Sequence, residues 1–279
     1  MTRLLVVNAD DMGLTPGVCR AVQRAHADGV VTSTSVLAVG TAFEQAATAV
    51  RDAGDLALGA HLAIVGEDRP LLSAREVPTL VDREGRFPLS YRTVVARGAA
   101  GRIDADDVSR EFRAQLERVR GIGVPVTHLD THQHTHLWPA VAAVVVDLAR
   151  EAGIRCVRLP GSRRRGPLGA GVRLLAGRLR HRLDRAGLHT TGGYAGLDEA
   201  GHLDGTRFAG ALQRLTDEDV ATAEINTHPG EEPEADLARF AWGYRWADEL
   251  AMLTAPSTHT LVERLGWRLG TFADVAVAR

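Results

Sequence analysis

The chain opens on a short apolar, β-branched run, Arg3-Leu-Leu-Val-Val-Asn8, without the polar alternation of a half-exposed strand. Such a run predicts a strand buried on both faces. Thr15-Pro16 supplies a cap and a first-turn proline, predicting a helix to about Asp28 that stops at Gly29. Val30 to Ala38 is β-branched and Thr/Ser-rich and reads as a second strand. Thr41-Ala-Phe-Glu44 has the form of a capping box and opens a helix ending near Gly54. Leu56 to Leu62 is a third strand, and residues 63–90 show no period and read as a long loop punctuated by Gly66, Pro70, Pro78 and Pro88. Helical patterns follow at 90–98 and 105–121, then a strand at Val124–Thr131, an apolar helix at Pro139–Gly153 and a strand at Cys156–Leu159. Ser162-Arg-Arg-Arg165 leads into an Arg-rich amphipathic pattern over 171–187, readable as a solvated helix or as a contact for an anionic substrate or lipid surface. Helices at 204–215 and 234–253 flank a strand at Thr222–Asn226, and a last helix–strand unit fills 258–276.

Strand and helix therefore alternate along most of the chain. That predicts parallel strands joined by helical crossovers, an α/β fold. The candidates are an open doubly wound sheet and a TIM-barrel-like (β/α) barrel, complete or incomplete, in one domain over residues 1–279. No GxGxxG follows the first strand and no GxxxxGK[ST] occurs, so nucleotide-binding fingerprints are absent.

Composition narrows the class. With 279 residues, 45% of them hydrophobic, the chain buries a core without needing disulfides or a structural metal. Its 33 basic and 35 acidic residues give a net charge of −2, which excludes a disordered chain and argues against a nucleic-acid partner. Every basic residue is arginine, so a catalytic or phosphate-loop lysine is excluded. Cys19 and Cys156 are far apart and form no CxxC, which fits a reducing compartment. The Leu4–Val7 run is too short for a signal peptide, and no stretch approaches the ~18 apolar residues of a membrane helix. The expected location is the cytoplasm, with no integral membrane segment. The oligomeric state, a homodimer included, stays open.

The out-of-place polar residues sit just after predicted strands: Asp10-Asp11, His61, the run His128-Leu-Asp130-Thr-His132-Gln-His134-Thr-His136, Arg158, and Glu224-Ile-Asn226-Thr-His228-Pro-Gly230. In a parallel barrel those ends converge on the face that carries the active site. Alternation along an extended chain puts His128, Asp130 and His132 on one side if the strand runs that far. Histidines with carboxylates suit a divalent metal with open positions for water, although a local His run can equally satisfy core hydrogen bonds. Asp10-Asp11 is either a turn before the helix or a pair of carboxylates that divide the work, one ligating and one accepting a proton. His228 is either part of a turn or a general acid for a leaving amine. Arg158 is either a salt-bridge partner or a substrate clamp.

The blocks Val7-Asn-Ala-Asp-Asp-Met-Gly13, Val31-Thr-Ser-Thr34, Gly59-Ala-His-Leu62, Thr127–His136 and Thr227-His-Pro-Gly230 resemble the YdjC-like carbohydrate deacetylases, in family order over residues 1 to about 255. That family includes chitooligosaccharide deacetylases and a branch associated with hopanoid biosynthesis. Met12 stands where many members carry Phe. The resemblance implies a TIM-barrel-like fold and hydrolysis of an N-acetyl group from a sugar or oligosaccharide. It further implies one divalent cation, magnesium in first place and zinc or another transition metal as alternatives, held by Asp11, His61 and His132. Asp10 falls at the position of the base. His228 is then expected as the acid, and Arg158 and Asp130 as substrate contacts. The rival readings are a phosphoesterase with a second metal on Asp130, His134 and His136, and a non-catalytic sugar-binding protein.

Overall fold

A computed structural model describes residues 3–231, 237 and 239–277. The strands are β1 (Arg3–Met12), β2 (Ser33–Val36), β3 (Ala57–Leu62), β4 (Val126–Thr131), β5 (Cys156–Val157), β6 (Gly193–Ala195), β7 (Thr222–Thr227) and β8 (Trp267–Leu269). They form one sheet in the order β5-β4-β3-β2-β1-β7-β6, every pairing parallel. The short β8 pairs with Arg3–Leu5 at the start of β1, below the stretch of β1 that meets β2. Among the described residues β5 and β6 do not pair, so the sheet is a curled, incomplete barrel. β1 lies at its middle, and Leu5, Val6, Val7 and Ala9 have no exposed surface, as an uninterrupted apolar run requires.

The helices are α1 (Pro16–Ala27), α2 (Phe43–Ala53), α3 (Tyr91–Ala99), α4 (Ala105–Arg120), α5 (Pro139–Ala152), α6 (Pro167–Ala186), α7 (Gly205–Asp217), α8 (Trp246–Thr254), α9 (Pro256–Arg264) and α10 (Phe272–Val275). Thr15 caps α1 by accepting from Val18 N at 3.2 Å. The capping box expected at Thr41 does not form. Ala42 is the N-cap of α2, and Thr41 Oγ1 donates to Leu14 O, because tying β1's exit loop uses the hydroxyl. The helix expected over 234–253 is described only from Trp246; residues 240–245 are irregular, and 232–236 and 238 lie outside the described residues. The strand at β6 carries too short a signal, three residues with two of them Gly and Ala, to be read from the sequence.

The 63–90 segment has neither helix nor strand, as expected, yet it is closely held. Three buried polar residues one turn apart on α4 bind its backbone. Gln115 meets both N and O of Ala63 at 2.7 Å, Glu111 accepts from Leu71 N and Leu72 N, and Asp107 accepts from Thr79 N. Spacing of four residues puts all three on one face of the helix. They satisfy amides that no ladder reaches. No helix among the described residues is long and apolar enough to cross a membrane.

Candidate active site

The site begins with an irregularity in β1. Its pairing with β2 shifts register between Ala9 and Met12, and Asp11 adopts φ 62°, a left-handed conformation that Asp tolerates better than bulkier residues. Neighbouring side chains of a regular strand point to opposite faces. The bulge cancels that alternation, so Asp10 and Asp11 border the same cavity of about 250 Å³. His61 at the end of β3, His132 just after β4 and His228 after β7 line it too, with aromatic walls from Tyr91, Trp242 and Tyr244.

Asp11 Oδ1 lies 2.9 Å from His132 Nδ1 and 3.3 Å from His61 Nε2, and the two ring nitrogens are 3.4 Å apart. All three residues are buried. Asp11 Oδ1 nonetheless receives no hydrogen bond of acceptable geometry. A buried acceptor without a donor is costly. One carboxylate oxygen and two imidazole nitrogens crowded together fit a divalent cation, and among the described residues Asp11, His61 and His132 form such a ligand group.

His61 is oriented from behind. Its Nδ1 lies 2.7 Å from Asp130 Oδ1, which leaves Nε2 to face Asp11. Burial pulls the His61 imidazolium down, but Asp130 and Asp11 outweigh it and push it up to about 10. A pocket that holds a proton this firmly has a strong negative field, and a metal entering it would displace that proton.

A second group, Asp10, His61 and Asp130, also has ligand spacing, but its cation is already in place. Arg158 Nη2 and Nη1 grip Asp10 at 2.6 and 2.7 Å, Nη1 also meets Asp130 Oδ2 at 2.7 Å, and Nε donates to Glu224 Oε1 at 2.7 Å. Arg158 and Asp130, expected as substrate contacts, are instead engaged within the protein. Both have no exposed surface and neither lines the cavity; their polar atoms are consumed by the protein itself. Burial pushes Glu224 up to about 8, with Arg158 pulling it down and Asp10 and Asp130 pushing it further up.

Asp10 accepts four hydrogen bonds. Asn8 Nδ2 and Arg158 reach Oδ1, and Arg158 and Asn226 Nδ2 reach Oδ2, the Asn226 contact being longest at 3.2 Å. Tyr194 OH in turn donates to Asn226 Oδ1. His228 Nε2 stands 3.9 Å from Asp10 Oδ2, its ring edge-on to Tyr244 at 5.0 Å. Its backbone N donates to the buried Glu249 at 2.6 Å. Glu231, three residues beyond His228, pairs with Arg20.

The histidine run splits by role. His128 and Asp130 do share a face, both meeting Ser35 Oγ, at 3.0 and 2.7 Å. β4 ends at Thr131, so His132 reaches Asp11 from a tight turn in which Gln133 and His134 are left-handed. Burial holds His128 down to about 3 and His136 to about 4, both neutral structural rings. His136 binds Thr131 Oγ1 and Arg158 O, and His134 faces Tyr194 OH at 3.3 Å, so neither joins a second metal group. Sequence reasoning missed Tyr91, Tyr194, Trp242, Tyr244 and Glu249, which carry no motif and reach the site only through folding.

Residues 4–264 match the family model described as YdjC-like protein. The carbohydrate deacetylase of Brevibacillus brevis is 32% identical over 97% of this chain and 99% of its own length. The human carbohydrate deacetylase is 33% identical over 97% and 90%, and the chitooligosaccharide deacetylase of Citrobacter koseri 30% over 99% and 100%. A crystal structure of a putative cellobiose-phosphate cleavage protein from Enterococcus faecalis superposes with a TM-score of 0.81 at 24% identity, covering 98% of this chain and 99% of that one, and so shares the fold. With its motifs gathered at one cavity and the match running nearly end to end, the chain belongs to the YdjC-like family.

Proposed function

We propose that this protein is a divalent-metal-dependent deacetylase that hydrolyses the N-acetyl group of an acetylated amino sugar or oligosaccharide. The observation that carries the reading is the Asp11, His61 and His132 ligand group at a cavity that also holds Asp10 and His228. Relatives at 30–33% identity are named carbohydrate and chitooligosaccharide deacetylases. Asp11, His61 and His132 would hold the cation, magnesium by family resemblance. A bound cation would polarise the acetamide carbonyl and acidify a water molecule.

Asp10 takes the proton of the attacking water. Its four donors fix the carboxylate, and Oδ2 is freed most readily where Asn226 is held at 3.2 Å. His228, on the same side of Asp10, gives a proton to the departing amine, which is too basic to leave as an anion. Acetate and a free amino sugar result. Tyr91, Trp242 and Tyr244 offer faces on which a sugar ring packs. The two separated cysteines fit a reducing compartment such as the cytoplasm.

The test is acetate release from N-acetylated mono- and oligosaccharides by metal-loaded protein. Asp10→Asn should keep its metal and lose turnover by roughly 10²–10⁴-fold. His228→Ala should slow acetamide cleavage far more than cleavage of an activated acetate ester, whose leaving group needs no proton. Equal losses on both substrates would remove His228 from the acid role. Turnover of phosphate esters without acetate release would move the protein to the rival hydrolase class.

A further inference from the structure

α6 is long and buries little of itself. Of its twenty residues only Gly169, Leu179 and Leu183 are buried. Residues 163–185 hold eight arginines and a single acid, Asp184. Setting that +7 against a whole-chain charge of −2 leaves −9 on the remainder, so the molecule is strongly polarised. Arg163 pairs with Glu218 and Arg164 with Asp198. Among the described residues Arg165, Arg178, Arg180, Arg182 and Arg185 pair with no acid. Helical spacing puts Leu174, Arg178, His181 and Arg185 on one outward stripe.

Two features say what this face meets. Leu168 and Leu174 are 51% and 58% exposed, two of the four large apolar side chains more than half exposed among the described residues. Beside them lies a cavity of about 510 Å³ whose charged lining is Arg163, Arg164, Arg165, Arg173, Arg180 and one acid, Glu218. On the other flank an apolar groove of about 410 Å³, lined by Val95, Leu168, Val172 and Leu175, shares Tyr91 and His134 with the metal cavity. Arginines would serve any polyanion. Exposed leucines beside an apolar groove serve one that also offers hydrocarbon.

We propose that α6 and the arginines before it dock the protein on an anionic lipid surface. Headgroup phosphates sit among the arginines of the larger cavity, and Leu168 and Leu174 enter the boundary between headgroups and acyl chains. This is a helix lying on a membrane rather than crossing it. Docking brings the mouth of the metal cavity beside the bilayer, because the groove joins the two.

Sedimentation with extruded vesicles tests it without reference to catalysis. The protein should pellet with phosphatidylcholine vesicles containing roughly a quarter phosphatidylglycerol and stay in solution with phosphatidylcholine alone. Binding should weaken steeply as salt rises from about 0.1 to about 0.5 M. Each arginine near such a surface contributes about fivefold in affinity, so a combined Arg165→Gln, Arg178→Gln, Arg180→Gln variant, two of whose positions line the larger cavity, should lose about 100-fold. Its melting temperature should be unchanged, since all three side chains are exposed. Leu174→Ser should weaken binding to the same vesicles without altering the salt dependence. Equal binding to neutral vesicles, or a triple variant that binds like wild type, would overturn the proposal. Release by inorganic phosphate at constant ionic strength would make the face a small-anion site instead. Capture by duplex DNA with vesicles ignored would make it a nucleic-acid surface.

Discussion

Two clusters of buried acid and histidine share one floor of the barrel, and they are built to opposite ends. The upper one, Asp11 with His61 and His132, crowds a carboxylate oxygen and two ring nitrogens together and leaves Asp11 Oδ1 without a well-aligned donor. The lower one, Asp10 with Asp130 and Glu224, has the same kind of acids but closes on the guanidinium of Arg158. Both meet the strand-end spacing of a metal site. What separates them is whether the protein supplies the cation itself. Asp130 belongs to both, since one oxygen orients His61 and the other meets Arg158. The lower cluster thereby sets the geometry of the upper one.

Breaking the upper cluster should cost chemistry and spare the fold. His132→Ala should weaken metal binding by more than about 100-fold and abolish metal-dependent turnover, because loss of a direct ligand exceeds loss of a ligand's supporting partner. Elemental analysis and thermal melting of the metal-stripped protein check both halves. Breaking the lower cluster should do the reverse. Arg158→Met leaves Asp10 and Asp130 buried without their cation, a destabilisation of about 3–5 kcal/mol, or roughly 10 °C in melting temperature. An Arg158→Met protein that melted like wild type would show that its carboxylates need no internal cation.

The shared residue gives a smaller, mixed effect. Asp130→Asn still accepts from His61 but weakens the negative field behind it. Metal affinity should fall about 10–100-fold by titration calorimetry. The smallest effect is in pH dependence. Glu224 is raised to about 8 in the fold, against 4.5 ordinarily. Between those values the folded protein keeps a proton that the unfolded chain releases, so this residue makes stability fall as pH rises through that window. Glu224→Gln should flatten the fall, by a few degrees in a series of melts from pH 5 to 8.

The strand ends were readable because parallel α/β chains place function there. Asp10, Asp11, His61, His132 and His228 each lie at or just past the end of a strand-like run, and the structure brings them to one cavity. Arg158 follows such a run as well, which is why it reads as a substrate contact. Its sequence neighbourhood does not reveal that three acids from β1, β4 and β7 turn inward on it. The aromatic wall was hidden for another reason. Trp242 and Tyr244 come from an irregular stretch with no period, and Trp242 is positioned by a hydrogen bond to Glu67 across the fold. The order of the 63–90 loop was hidden likewise, because Asp107, Glu111 and Gln115 look like the solvated face of an amphipathic helix until a backbone is laid against them.

The bulge in β1 restricts how a centre of this kind is gained or lost. One additional residue between Ala9 and Met12 sends two consecutive acids to the same side. No exchange of one amino acid for another in a regular strand reproduces that, since substitution changes a side chain and leaves its direction alone. Loss of a single codon in this stretch would restore plain alternation and carry one of the two carboxylates to the far face. The placing of Asp10 and Asp11 at one cavity is thus written in chain length as well as in residue identity.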